Sequence, residues 1–197
     1  MRPTKKVATT VGVIAASVGI GQADTGVPMI FVTLPLMIVA LLPIVGLEAA
    51  ILAKKLKLRF WPTAGWTGLS NILSTIIGIP LTWGALAAIQ MITGGGRAYD
   101  RLDTFRGRFL AVTWQAPWLI PYESELHWMV PAASLVLLVP FFFVSYGSEF
   151  LFNRKFLVSN TSVTVRRGTL LANLASYLAL ALFVIGWWVF EAFGRHA

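Results

Sequence analysis

The 197-residue sequence contains no cysteine and only two histidines, and 12% of its residues are charged. Without thiols the chain forms neither disulfide bonds nor cysteine-ligated zinc sites. His127 and His196 lie far apart, and neither belongs to a metal-site spacing or to a Ser/His/Asp set for nucleophilic catalysis. We therefore expect no metal and no cofactor.

Apolar residues are abundant instead: hydrophobic residues make up 57% of the chain, and its mean hydropathy is +0.75. Several stretches of about 20 residues carry almost no charge, which is the length that crosses the apolar part of a bilayer. The sequence predicts an all-α integral membrane protein with four transmembrane helices, at about residues 28–52, 64–93, 128–152 and 170–193. The net charge of +8 is spread in small groups between these spans, so it indicates membrane topology and not nucleic-acid binding.

The first 23 residues resemble a targeting segment. Arg2, Lys5 and Lys6 precede a short apolar run, and Gly21 and Ala23 provide small residues at its end. This layout predicts a signal peptide or, alternatively, a short uncleaved N-terminal anchor helix. In both cases residues 24–197 form the membrane domain, and they begin outside.

Basic residues cluster in the two short turns. Residues 54–59 hold four cations and no acid, and Arg154 and Lys155 with Arg166 and Arg167 flank the other turn. By the positive-inside rule both turns are cytoplasmic, whereas the long loop 94–127 and the C-terminus lie outside. We expect a multi-pass protein of a bacterial-type inner (plasma) membrane.

A polar pattern occurs twice in these apolar surroundings, which indicates a parallel internal repeat of two helical hairpins. In each copy a helix ends near a Glu, and the returning helix opens with Thr-x-Leu-x-Asn-x-x-Ser. The two copies give six candidate residues: Glu48, Asn71 and Ser74 in the first, and Glu149, Asn173 and Ser176 in the second.

The depth of these residues predicts how they meet. Each Glu and each Asn lie a similar number of turns from the hairpin turn, so they should be level and able to bond across the helix pair. Asn and Ser three residues apart share one face of their helix. The six side chains either converge as an intramembrane proton or cation site, or lock helix packing within each hairpin separately.

Two further features stand out. Gly78 and Pro80 predict a kink or a local break in the second span. Trp114, Trp118 and Trp128 predict an aromatic outer loop that lies on the membrane surface or caps the bundle and offers a docking interface. Glu123, Glu125 and His127 would share a face only in an extended chain, and we expect a solvated loop there.

Three functions remain open. The leading hypothesis is a small non-enzymatic accessory or scaffold subunit, whose partners are the lipid bilayer and other membrane subunits or a second copy of itself. The alternative is a proton- or cation-coupled transporter or channel module that uses Glu48 and Glu149. A membrane enzyme with its site under the outer loop comes third, since carboxylates are available there.

Overall fold

The computed structural model describes residues 27–95, 102–120, 124–157 and 160–194. The predicted targeting segment, residues 1–23, lies outside these ranges. Four of the described helices are long and apolar enough to cross a membrane. The prediction of a multi-pass helical membrane protein is therefore confirmed.

Five helices and two short strands make up the described chain. The four long helices are α1, α2, α4 and α5, and the third helix is a short one in the long loop. In chain order the elements are β1 (Val27–Pro28), α1 (Met29–Leu56), α2 (Phe60–Ile92), α3 (Phe105–Thr113), β2 (Trp118–Leu119), α4 (Leu126–Phe156) and α5 (Ser162–Gly194).

The long helices form two antiparallel hairpins, α1–α2 and α4–α5, that pack side by side. Helix α1 packs on α2 and α5, and α4 packs on α5 and α2, so each helix has two neighbours. The two Glu-bearing helices, α1 and α4, are diagonally opposed. This arrangement brings one face of each long helix towards a common axis.

Basic residues lie at the carboxyl ends of α1 and α4, the first helices of the two hairpins. Lys54 and Lys55 occupy the last turn of α1, and Arg154 and Lys155 that of α4. Positive side chains there interact favourably with the partial negative charge of the helix end. Helix α1 stops at Lys57, whose φ of 55° and ψ of 44° are left-handed and cannot continue the helix.

Pro80 changes the geometry of α2 without interrupting it. The helix is α-helical from Phe60 to Gly78, forms a π-helical turn at Ile79–Trp83, and is α-helical again from Gly84 to Ile92. Proline lacks the amide hydrogen that a regular turn would need. Where the sequence predicts a kink or a local break, the structure has a widened turn in a continuous helix.

The long loop covers one end of the bundle, which we call the loop end; the opposite end, with the α1–α2 and α4–α5 turns, is the hairpin end. Strand β1 pairs antiparallel with β2, with Val27 opposite Leu119. Helix α3 and β2 bury small and apolar side chains against α1 and α4. This cluster consists of Met29, Ala111, Ala116, Leu119, Met129, Ala133 and Leu137.

Candidate functional site

Each hairpin contains a bond between its Glu and its Asn. Asn71 Nδ2 donates to Glu48 Oε2 at 2.7 Å, and Asn173 Nδ2 donates to Glu149 Oε2 at 2.8 Å. The two helices of a hairpin face each other, and the Glu and the Asn lie at the same level because each is a comparable distance from the hairpin turn. These are the contacts that depth along the sequence predicts.

The serines bond across to the other hairpin. Ser176 Oγ lies 2.6 Å from Glu48 Oε1, and Ser74 Oγ lies 3.2 Å from Glu149 Oε1. Ser74 and Ser176 are also within 3.0 Å of the main-chain oxygens of Asn71 and Asn173, three residues earlier. The six residues therefore form one closed circuit, in which the side-chain bonds are joined through the main-chain oxygens of Asn71 and Asn173. We call it the six-residue ring: Glu48, Ser176, Asn173, Glu149, Ser74 and Asn71.

The six-residue ring is shielded from its surroundings. Glu48 is 1% exposed and Glu149 is 3% exposed, and their four partners are buried as well. Every described hydrogen bond to the two carboxyl groups comes from an amide or a hydroxyl, and none comes from a Lys, Arg or His. The carboxyl pair is thus held by neutral groups, unlike a buried ion pair.

The asparagine amides are fixed as donors. Asn71 Nδ2 also lies 3.1 Å from the main-chain oxygen of Thr67, and Asn173 Nδ2 lies 3.2 Å from that of Thr169. Since both neighbours of each nitrogen are acceptors, the reversed amide orientation would set oxygen against oxygen. One oxygen of each carboxyl group therefore always accepts from an amide.

The serine hydroxyls, in contrast, can reverse. Each has one hydrogen but two oxygens in reach, a carboxyl oxygen and a main-chain carbonyl. If the hydroxyl donates to the carbonyl, its contact with the Glu is a hydrogen bond only when the Glu carries the hydrogen. If the hydroxyl donates to the Glu, the carboxyl oxygen is the acceptor, as it is in an ionised carboxylate. The same atomic positions thus accommodate a carboxyl group with or without its proton.

No protein-family model, curated protein or solved structure matches the chain. The chemistry that the ring offers follows from its own atoms: two carboxyl groups, two fixed donors and two reversible hydroxyls. Among the described residues no group of three or more His, Cys, Asp or Glu side chains could hold a metal ion.

A second polar layer borders the ring, and the sequence indicates it only in part. Tyr177, next to Ser176, bonds to Ser145 at 2.8 Å, and the buried Asn153 donates to Thr169 at 3.2 Å. The Tyr146 hydroxyl accepts a hydrogen bond from Arg166 Nε at 3.2 Å. A search for polar residues in helix-spaced steps from Asn173 would find Thr169, but Asn153 has no counterpart in the first hairpin.

The three tryptophans of the predicted outer interface do not join the ring. Trp118 stacks on Trp83 with ring centroids 5.9 Å apart, and Trp114 Nε1 donates to Thr93 Oγ1 at 2.8 Å. Trp128 Nε1 donates to the Glu125 carboxylate within the loop end. These contacts hold the loop against the bundle. Among the three tryptophans for which the sequence predicts a docking role, Trp114 is the most exposed.

Two buried glutamines at the loop end were not singled out by the sequence. Gln90 Nε2 donates to the main-chain oxygen of Trp118 at 2.8 Å, and Gln115 Nε2 donates to that of Gly95 at 2.9 Å. Gln90 is 1% exposed and Gln115 is fully buried. An amide at the end of an otherwise apolar span is the signal that could have identified Gln90.

The acidic segment before α4 offers no ligand set among the residues described. Helix α4 begins at Leu126, so Glu125 and His127 do not alternate on an extended chain, and Glu123 lies outside the described residues. A small cavity of about 50 Å³ lies beside His127. Its lining is mostly apolar and aromatic: Leu126, His127, Val130, Pro131, Trp187 and Trp188.

Proposed function

We propose that the protein is a proton-conducting or proton-coupled membrane module in which the six-residue ring binds and releases protons. One observation carries this proposal: the two carboxyl groups belong to different hairpins, yet each bonds to a serine of the other hairpin. A lock confined to each hairpin would need only the Glu–Asn pair. Ionisable residues inside a bilayer are costly and commonly mark ion or proton pathways.

A proton suits the ring better than a metal ion. Two of the four carboxyl oxygens face Asn nitrogens at 2.7 and 2.8 Å, and the hydrogens on these nitrogens repel a cation. Hard metal ions need several oxygen ligands at about 2.0–2.6 Å around one point. A proton on a carboxyl group needs only one acceptor oxygen, and the oxygen of the neighbouring serine hydroxyl is that acceptor once the hydroxyl donates to the main-chain carbonyl.

The test replaces both carboxyl groups by amides, Glu48→Gln with Glu149→Gln. A glutamine oxygen accepts from the Asn amide, its nitrogen donates to the Ser oxygen, and the Ser donates to the main-chain carbonyl. The variant thus keeps every bond of the ring but has no carboxyl proton to exchange. We expect proton flux in liposomes to fall to that of protein-free liposomes, while thermal unfolding in detergent is unchanged.

Ser134→Ala is the matched control. Its hydroxyl donates only to the main-chain oxygen of Val130 in its own helix, at 2.8 Å, so flux should stay at the wild-type level. Wild-type flux in the double Gln variant would refute the proposal.

An accessory subunit of a larger membrane complex, with other subunits or a second copy as partner, is the second candidate. It is favoured by a small-residue face on α2, where Gly84 and the exposed Ala88 lie four residues apart and a side chain at Gly84 would meet open space. Such spacing permits close approach of another helix in a membrane. Extraction in mild detergent tests this: a complex much larger than 21.6 kDa supports it, and a lone monomer contradicts it.

We further propose that the two hairpins arose by duplication and that the hairpin end is cytoplasmic. The matching bonds of the two hairpins support the first proposal. The basic residues at the hairpin end support the second. The loop end and the C-terminus would then lie outside a bacterial-type inner membrane.

A further inference from the structure

A buried polar stripe runs along α2 well beyond the six-residue ring. It starts near the hairpin end and reaches the loop end, over about 40 Å at 1.5 Å per residue. That exceeds the roughly 30 Å of a bilayer's apolar part. The buried polar residues of the stripe are Thr63, Thr67, Ser70, Asn71, Ser74, Thr82 and Gln90.

Two hydroxyls of this stripe have no hydrogen-bond partner among the described residues. Ser70 is 2% exposed and Thr82 is 5% exposed. Serine and threonine inside a helix normally donate to the carbonyl four residues earlier. Thr63 and Thr75 do so in the same helix, at 2.8 Å each. Ser70 and Thr82 do not make this bond. A buried hydroxyl without a hydrogen-bond partner costs free energy of folding.

The two unpaired hydroxyls lie on either side of the ring. Ser70 is four residues from Ser74 towards the hairpin end, so the two share a face of α2. Thr82 lies two steps of four beyond Ser74 towards the loop end. Each step of four turns the face by about 40° in a regular helix. The π-helical turn Ile79–Trp83 holds an extra residue, which turns Thr82 back towards the stripe.

We propose that Ser70 and Thr82 each bind a water molecule, and that these two waters belong to a hydrated path that leads along α2 to the ring from both ends. A water satisfies a buried hydroxyl as donor or acceptor. In each transfer the accepting oxygen gains one hydrogen and passes another on, so nothing is oxidised or consumed. The inference rests on the proposed function for its role, but the water sites themselves do not.

The absence of cysteine from the chain gives a direct test of water access. Single cysteines are introduced as Ser70→Cys and Thr82→Cys and treated in membrane vesicles with a small methanethiosulfonate, which a hydrated cysteine thiolate attacks to form a mixed disulfide with release of methanesulfinate. The control is Ala172→Cys, since Ala172 is 1% exposed and packs in an apolar cluster with Leu52 and Val165. We expect labelling at least tenfold faster at positions 70 and 82 than at 172. Equal, slow labelling at all three would overturn the water sites.

Proton flux tests the role of these waters. Ser70→Ala and Thr82→Val should each lower flux in liposomes severalfold. Their matched controls, Ser134→Ala and Thr33→Val, remove hydroxyls that are satisfied within their own helices and should not. Wild-type flux in Ser70→Ala and Thr82→Val, with flux abolished in the double Gln variant, would overturn the path and leave the ring's function standing. If the double Gln variant also conducts, the proposed function fails, and cysteine labelling alone then decides the water sites.

Discussion

Ser176 Oγ lies 2.6 Å from Glu48 Oε1, although 128 residues separate the two in the chain. The bond joins α5 to α1, and Ser74 with Glu149 repeats it between α2 and α4. These two contacts turn a pair of independent hairpin locks into one buried circuit. Removal of any member therefore affects both hairpins.

The first prediction concerns the strength of the cross-hairpin bonds. Ser176→Ala and Ser74→Ala should each lower the free energy of unfolding in detergent by about 0.6–1.7 kcal/mol, from the average to the largest value for polar contacts between membrane helices. Each change leaves one carboxyl oxygen without its hydroxyl partner. A mutant cycle that combines Ser176→Ala with Ser74→Ala should show non-additive losses, because both bonds belong to one circuit. Strict additivity, or a loss no larger than that of Ser134→Ala, would contradict the closed ring.

The second prediction concerns reach. Glu48→Asp keeps the carboxyl group but shortens its side chain by one methylene, so it cannot bond to Asn71 on α2 and Ser176 on α5 together. We expect proton flux to fall severalfold and the free energy of unfolding to drop by about 1–3 kcal/mol, the cost of an unsatisfied buried polar group. Glu149→Asp is the internal comparison and should behave alike. Full flux in Glu48→Asp would mean that the ring geometry is unimportant.

The fold and half of the ring could be predicted from sequence. Four apolar stretches with almost no charge predict four long helices, because the bilayer fixes their length. Depth along a hairpin predicts the Glu48–Asn71 pair, since both residues are counted from one turn. The bond from Ser176 to Glu48 could not be predicted in the same way, because no local count fixes how two hairpins are rotated against each other.

Two other features depended on the tertiary structure. Gly78 and Pro80 indicate an irregular turn, but they do not determine whether the helix breaks there or continues through a widened turn, as it does in the structure. The Gln90 amide donates to the main-chain oxygen of Trp118, a contact that exists only because the loop folds back over the end of α2. Sequence patterns describe single helices well and contacts between distant segments poorly.

The third prediction concerns the loop end. Gln90→Leu removes the donor that the main-chain oxygen of Trp118 accepts from, and it buries that oxygen unpaired. We expect the loop to loosen and trypsin to cut after the exposed Arg106 at least severalfold faster. Met91→Leu, at an exposed neighbouring position, is the control and should be cut at the wild-type rate. Unchanged cleavage of Gln90→Leu would show that the glutamine does not hold the loop.

The last prediction concerns orientation, and the cysteine-free chain makes it simple to test. Single cysteines are introduced at exposed positions on opposite ends of the bundle, as Lys55→Cys at the hairpin end and Asp103→Cys at the loop end. Because basic residues gather at the hairpin end, the positive-inside rule puts that end in the cytoplasm. A membrane-impermeant thiol reagent should therefore label position 103 in intact cells and position 55 only after lysis. Labelling of position 55 in intact cells, with position 103 protected until lysis, would show that the orientation is the opposite one.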